Sequence, residues 1–280
     1  MATDRSRVWL ITGASSGFGH AIAEAALAAG DTVVGAARRP EALADLEVSA
    51  PERVSSIQLD LTDTDRIRAA VTEVLDGHGR IDVLVNNAGR GAVGAAEETS
   101  DRELRDLMGL HFFGPAALTR EVLPHMRERG SGAIVQMSSM GGRFSFPGVG
   151  AYSATKFALE GWSEALAKEV EPFGIRVLIV EPGAFRTSFN ATGALLLSKR
   201  IPAYNEQIDA VRNNLAQDDG KQPGDPAKAA AAILLALRSD EPPLRLVLGN
   251  DAVDAVTGAL DSAKAELEVW ERVGRATVFD

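Results

Sequence analysis

Residues 7–29 read RVWLITGASSGFGHAIAEAALAA. The run Arg7–Thr12 is apolar without alternation, the pattern of a strand covered on both faces. The Ala-rich stretch Gly17–Ala29 behind it reads as a helix closed by Gly30. Between the two lie Gly13, Gly17 and Gly19. Glycines at such a point permit a tight turn and let a pyrophosphate approach the backbone. The helix start offers free N–H groups and the positive end of its dipole to that phosphate. A plain strand-to-helix turn would use glycine too, but a glycine triplet after one strand and before one helix is the context that nucleotide binding requires.

Working outward, the same alternation continues. Strands are expected at Thr32–Ala36, Val54–Leu59, Ile81–Val85, Ala133–Met137, Arg176–Val180 and Leu244–Leu248. Helices are expected at Pro40–Leu46, at Asp63–Asp76 with Thr62 or Asp63 as cap, from Ser100 to about Arg127 without a break, and at Tyr152–Glu171. Alternating units of this length imply right-handed crossovers and one parallel sheet. The expected fold is therefore α/β: a Rossmann-type doubly wound parallel sheet of about seven strands, with residues 1–280 as one domain. Two segments depart from the alternation. Residues 187–222 contain helix-like pieces and no expected strand, and are read as a substrate lid. Residues 251–275 form a charged C-terminal helix.

Composition narrows the function. The chain has 280 residues, 29 basic and 39 acidic, for a net charge of −10. No stripe of Lys and Arg is present, which argues against a nucleic-acid partner. Cysteine is absent, which excludes a disulfide framework, a thiol nucleophile and a thiolate metal site. The four histidines and the acidic residues show no metal-ligand spacing, so no metal is expected. The start lacks the features of a signal peptide, and the longest apolar run, Ala229–Leu237, is too short to cross a bilayer. The expectation is a cytoplasmic protein without a membrane partner.

The glycine spacing, Gly-x-x-x-Gly-x-Gly, resembles that of the short-chain dehydrogenases/reductases, in their classical group. Further motifs in the chain fit that resemblance in order and place. Asp60 ends the third strand; the resemblance implies that it contacts an adenine ring together with the Leu61 amide. Its plain reading is a helix cap. Asn86-Asn87-Ala88-Gly89 ends the fourth strand, and in the family Asn87, Ala88 and Gly89 line the adenosine side. Pro182-Gly183, Phe185 and Thr187 follow the sixth strand, where the family meets the nicotinamide. With Gly13, Ser15, Ser16, Gly17, Phe18 and Gly19 these are the expected cofactor contacts. All lie at carboxyl ends of strands, where open α/β sheets bind ligands.

The end of strand two bears on the cofactor. An NAD site places an acidic residue there for the ribose 2′-OH. Ala37 stands in that position, followed by Arg38 and Arg39. Guanidinium groups suit a 2′-phosphate, so NADP(H) is preferred over NAD(H).

Two tyrosines and six lysines in 280 residues would give Tyr-x-x-x-Lys by chance in roughly 4% of such chains. The motif occurs once, as Tyr152-Ser153-Ala154-Thr155-Lys156. On a helix the two ends share a face. A free tyrosine titrates near 10 and is a weak acid-base group at neutral pH. A nearby ammonium is expected to favour phenolate and lower that value. Tyr152 can then pass a proton to or from a carbonyl oxygen, while a nicotinamide carries the hydride. Ser139, ending strand five, can hydrogen-bond the substrate oxygen. The resemblance carries the family's Ser–Tyr–Lys triad onto Ser139, Tyr152 and Lys156, gives Lys156 a further hold on the nicotinamide ribose, and makes Ser138 structural. The plain alternative is a surface tyrosine and a snorkelling lysine.

His111 is the departure. The family has asparagine there, whose backbone helps hold a water beside the lysine. Four readings stand open: a backbone carbonyl serving from a π-bulge, a histidine joining the relay, reduced activity, and a histidine filling space beneath the catalytic helix.

Phe144, Phe146, Phe189 and Leu196 are the expected substrate pocket, among apolar residues that periodicity cannot divide between lid and core. They suit a small hydrophobic ketone, aldehyde or alcohol, although Arg143 and Arg186 leave room for an anionic group. The function expected is an NADP(H)-dependent oxidoreductase. The alternatives are a non-catalytic NADP(H) sensor on the same fold, and an isomerase that uses the nicotinamide transiently. The resemblance also implies a homodimer or homotetramer built through the fourth and fifth helices; Ala158, Gly161, Trp162, Ala165 and Leu166 suit either a face for a copy or intrachain core.

Overall fold

The apolar runs pair in parallel. In a computed structural model, which describes residues 6–191 and 194–279, β1 (Val8–Thr12) lies between β2 (Thr32–Ala37) and β4 (Val83–Asn86). With β3 (Val54–Gln58), β6 (Gly132–Met137), β7 (Ile175–Pro182) and β9 (Arg245–Leu248) they form one seven-stranded parallel sheet in the order β3-β2-β1-β4-β6-β7-β9. The order reverses between β1 and β4, which opens a crevice at their carboxyl ends.

Side chains alternate across the sheet, and both faces are apolar. Trp9, Ile11, Val33, Val85 and Val135 pack against α1 (Gly17–Ala28) and α8 (Pro226–Arg238) through Ile22, Ala26, Ile233 and Leu237. Leu10, Val34, Leu84, Ile134 and Ile179 face α3 (Thr64–His78), α5 (Gly114–Arg129) and α6 (Gly150–Val170) through Ile67, Leu118 and Leu166. Burial on both faces is why the strands carry no polar alternation.

Several boundaries differ from the sequence reading. The helix expected from Ser100 to Arg127 is not continuous: α4 (Asp101–Met108) passes into a π-helical turn, Gly109–Phe113, before α5. Its start is set by a capping box, in which Ser100 Oγ accepts from Glu103 N at 3.2 Å and Glu103 Oε2 accepts from Ser100 N at 2.7 Å. The Pro40–Leu46 helix is a 3₁₀ turn running into α2 (Ala44–Ser49), and Asp63 caps α3 through its backbone alone. The helix α8 has no sequence counterpart, because its Ala-rich apolar run shows little period. Residues 187–222 do contain a strand: β8 (Leu196–Leu197) pairs with β5 (Ala92–Val93). With α7 (Asn205–Gln217) this segment makes a small core of Val93, Ala95, Ile208, Leu195 and Tyr204 beside the crevice. Leu166, open in sequence between a copy contact and the core, is intrachain core. The C-terminal helix α9 spans Asn250–Arg275.

Candidate active site

The crevice is built from the turn after β1. Gly13 and Gly17 have φ of +65° and +56°, the left-handed region that favours glycine. Gly19 is needed for a different reason. A Cβ there would lie 2.3 Å from Gly13 O and 2.5 Å from Asn87 Nδ2. Asn87 Nδ2 donates to Thr12 O at 2.9 Å, and Thr12 Oγ1 accepts from Asn87 N at 2.9 Å, so the ends of β1 and β4 are riveted together. Ser16 caps α1 with extended backbone and no side-chain bond, which leaves the first turn's N–H groups free to meet an anion. Ser15, Ser16 and Gly17 share an open groove of about 540 Å³ with Arg186, Thr187 and Ser188. These features fit the pyrophosphate of a dinucleotide.

The rest of the expected cofactor set lies along the same edge. Arg38 and Arg39 are exposed, and among the described residues neither has an acidic side chain within ion-pair distance. Asp60 is half-buried; desolvation raises its pKa, but hydrogen bonds from the Thr62 amide and hydroxyl, with the charge of Arg38, hold it below the usual value. The Leu61 side chain is core. Ala88 packs on the core, and Gly89 lies against His111. Phe18 and Phe185 pack ring to ring at 5.0 Å. A Cβ on Gly17 would meet Thr187 at 3.2 Å, so Thr187 stands directly over the turn. Pro182-Gly183 is fixed by a residue that local reading missed: Asp251 Oδ2 accepts from Ala184 N at 2.7 Å.

At the other end, β6 and α6 bring Ser139, Tyr152 and Lys156 together. Lys156 is buried, and its Nζ donates to Met137 O at 2.8 Å. That bond holds the ammonium 5.7 Å from the centre of the Tyr152 ring. Ser139 Oγ accepts from Gly141 N at 3.0 Å and faces the phenol. Ser138 points the other way, toward Glu160 beneath Gly142. The acid-base state differs from the sequence expectation. Desolvation pushes the Tyr152 hydroxyl up to about 12, opposed by the Ser139 hydroxyl, whereas a lowered value was expected. Desolvation also lowers Lys156 to about 8, opposed by the charge of Glu160. Removal of water outweighs the Ser139 hydrogen bond, so the phenol holds its proton at neutral pH.

His111 sits in the π-helical turn and is 1% exposed. Its Nε2 accepts from Arg90 N at 3.1 Å, and its Nδ1 meets Thr155 Oγ1 at 2.9 Å. Thr155 Oγ1 already donates to Tyr152 O at 2.7 Å. That direction requires Nδ1 to carry the ring proton, and both nitrogens are then engaged. Desolvation, then the charges of Lys156 and Arg90, hold its pKa well below the ordinary 6.5. The ring stands edge-on to Tyr152 at 5.6 Å. Arg90 and Thr155, which local reading missed, are the contacts that decide the state of this histidine.

Phe189 lies edge-on to Tyr152 at 6.0 Å. Phe144 and Phe146 are paired at 6.4 Å on the loop between Ser139 and Tyr152. Leu195, rather than the expected Leu196, reaches Gly91 beside Phe189. Of the two arginines that could meet an anion, Arg143 is neutralised, while Arg186 is tethered to a backbone carbonyl at the edge of the groove. Arg143 pairs with the buried Glu181 at 3.0 Å, and Arg186 donates to Gln222 O at 3.2 Å.

Comparison with known proteins agrees with this geometry. A family model described as short chain dehydrogenase matches residues 7–194. The chain is 37% identical over 273 residues to an oxidoreductase of Botryotinia fuckeliana, covering 97% of this chain and 99% of that protein. It is 37% identical over 248 residues to a 3-ketodihydrosphingosine reductase of Bacteroides thetaiotaomicron, covering 87% and 88%. Its fold superposes on a short-chain dehydrogenase from Streptomyces avermitilis with a TM-score of 0.94 and 62% identity, covering 98% of this chain and all of the other. A Burkholderia phymatum short-chain dehydrogenase in complex with NAD gives 0.82 at 25% identity, covering 96% and 97%. A metagenomic short-chain oxidoreductase in complex with NADP gives 0.68 at 30%, covering 86% and 96%.

Proposed function

The chain belongs to the short chain dehydrogenase family and is a nicotinamide-dependent oxidoreductase of it, and we propose that it interconverts hydrophobic ketones or aldehydes with alcohols, using NADP(H) in preference to NAD(H). The observation that carries this reading is the cluster of Ser139, Tyr152 and Lys156, with Lys156 Nζ fixed by Met137 O beside a phenol that is protonated at neutral pH. A bound nicotinamide supplies or accepts the hydride. The glycine turn and the α1 N-terminus hold its pyrophosphate, Arg38 and Arg39 its 2′-phosphate, and Asp60 with the Leu61 amide its adenine. Asn87, Ala88 and Gly89 line the adenosine side, and Pro182, Gly183, Phe185 and Thr187 the nicotinamide end.

Tyr152 gives its proton to the carbonyl oxygen during reduction. Ser139 donates to the same oxygen as negative charge develops there. Lys156 places a positive charge below the phenol, holds the ribose and disperses the charge left on the tyrosine. His111 is neutral and acts as a positioning residue: through Thr155 it fixes the first turn of α6, which carries Tyr152. Phe189, Phe144, Phe146 and Leu196, with Leu195, shape an apolar pocket. The pairing of Arg143 with the buried Glu181 supports a substrate without charge. One relative's name, 3-ketodihydrosphingosine reductase, describes a ketone on a long apolar chain and favours the same class. Segment 187–222 serves as the lid over this pocket. The exposed Phe113 and Phe157, on the π turn and α6, form the face for a homodimer or homotetramer. Among the described residues no helix is long and apolar enough to cross a membrane, which fits the cytoplasmic setting we assign.

The test is NADPH oxidation with a panel of apolar ketones and aldehydes, in wild type and Tyr152→Phe. Turnover falling by about 10²- to 10⁴-fold in a folded variant is expected. Undiminished turnover removes Tyr152 from proton transfer, and cofactor binding without turnover of any carbonyl favours the sensor.

A further inference from the structure

The C-terminal helix α9 leaves the body of the protein. Ala252 and Val256, in its first two turns, are buried against the body, but every residue from Leu260 to Arg275 is exposed. These outer turns are not polar all round. Leu260, Ala263, Leu267, Trp270 and Gly274 recur at alternating steps of three and four. That 3.5-residue period is the seam of a coiled coil, flanked by the exposed Val273 at the neighbouring g position, while the exposed Val269 lies off it. Leu267 and Trp270 are 69% and 61% exposed. A free helix of this length is marginal in water, and its stability comes from packing such a seam.

We propose that α9 pairs antiparallel with α9 of a second copy of this chain. Charge selects both the occupant and the direction. With the seam residues at the a and d positions, Lys264 and Glu271 fall at e and Glu266 at g. In an antiparallel pair centred between Glu268 and Val269, Leu267 faces the partner's Trp270 and Ala263 faces the partner's Gly274. Small residues thus flank the indole. In the same register Lys264 faces the partner's Glu271, and two-fold symmetry makes that favourable pair twice. A parallel pair would instead set Glu266 against the partner's Glu271, twice, as like charges. The existing Lys264–Glu268 and Glu271–Arg275 pairs are exposed one-turn contacts at 3.9 and 2.8 Å, worth a few tenths of a kcal/mol, and leave these side chains free to re-pair. An anionic membrane is disfavoured, because Leu260–Arg275 carries four acidic and three basic side chains.

The assembly of the full chain by analytical ultracentrifugation tests the pairing independently of turnover. In Leu267→Asp/Trp270→Asp, whose altered side chains are exposed in one chain, assembly is expected to fall by one step, or its dissociation constant to rise at least 100-fold, with NADPH turnover retained. Glu271→Lys is expected to weaken association, and Lys264→Glu/Glu271→Lys to restore it, with helix content by circular dichroism unchanged throughout. Unchanged assembly in the double Asp variant overturns the proposal. Tighter association of Glu271→Lys overturns the antiparallel direction. Sedimentation of the wild type with phosphatidylglycerol vesicles, lost in the double Asp variant, would assign the seam to lipid instead.

Discussion

Replacing His111 by phenylalanine separates a structural histidine from a proton carrier. A flat aromatic ring is kept and no cavity opens, so the change removes hydrogen bonds and adds a little volume to a buried site. It orphans the Arg90 amide, now bonded at 3.1 Å, and removes the donor 2.9 Å from Thr155 Oγ1. Each lost buried partner costs about 1–3 kcal/mol, for a total of roughly 2–6 kcal/mol. At about 2–4 °C per kcal/mol for a chain of this size, the melting temperature falls by several degrees or more. The pH dependence is the sharper signature. The His111 pKa is depressed well below 6.5 in the folded chain, so below that pH the unfolded chain binds a proton that the folded chain does not. Stability present above 6.5 is therefore lost as pH falls. The advantage of wild type over His111→Phe shrinks accordingly as pH falls below 6.5. Urea unfolding of both proteins at several pH values measures this directly. The kcat–pH profile of the wild type is expected to show no ionisation near 6.5 that belongs to His111. Such an ionisation, present in wild type and absent from the variant, would refute the neutral positioning role and return the histidine to the proton relay. So would a stability difference that does not change with pH.

Arg38→Asp is expected to lower the NADPH-to-NADH ratio of kcat/KM by at least about 10-fold, since it replaces a 2′-phosphate donor with an acceptor for a 2′-OH; an unchanged ratio would exclude Arg38 from cofactor choice. Carbonyl reduction is expected to lose kcat/KM above about pH 8, where Lys156 gives up its proton; a rate flat to pH 10 would show that the ammonium charge is not required. Gly19→Ala is expected to abolish cofactor binding by calorimetry, because the added methyl meets Gly13 O at 2.3 Å and forces the turn to shift; normal affinity in a folded variant would separate the turn from the pyrophosphate.

Local pattern determined a good deal of this protein. Strands buried on both faces are continuous apolar runs, so β1, β2, β4, β6 and β7 stand out within a residue or two, and the parallel sheet follows from their spacing. The glycine turn and Tyr152-x-x-x-Lys156 are also local, because a sharp turn and a shared helix face depend on neighbours in the chain. The failures have a common cause. Helix α8 hid in an alanine-rich run without period, and β8 in a two-residue strand whose only signal is its partner, β5. What the catalytic groups are, as opposed to where they lie, was decided by contacts distant in sequence. The proton on His111 depends on an amide 21 residues before it and a hydroxyl 44 residues after it. Lys156 is held by a carbonyl 19 residues away, at the end of β6. Desolvation, which only the packed structure supplies, raised Tyr152 where the neighbouring ammonium alone predicted a fall. Sequence names the groups and their order along the chain; the exclusion of water and the long-range hydrogen bonds that set their charge exist only once the chain is folded.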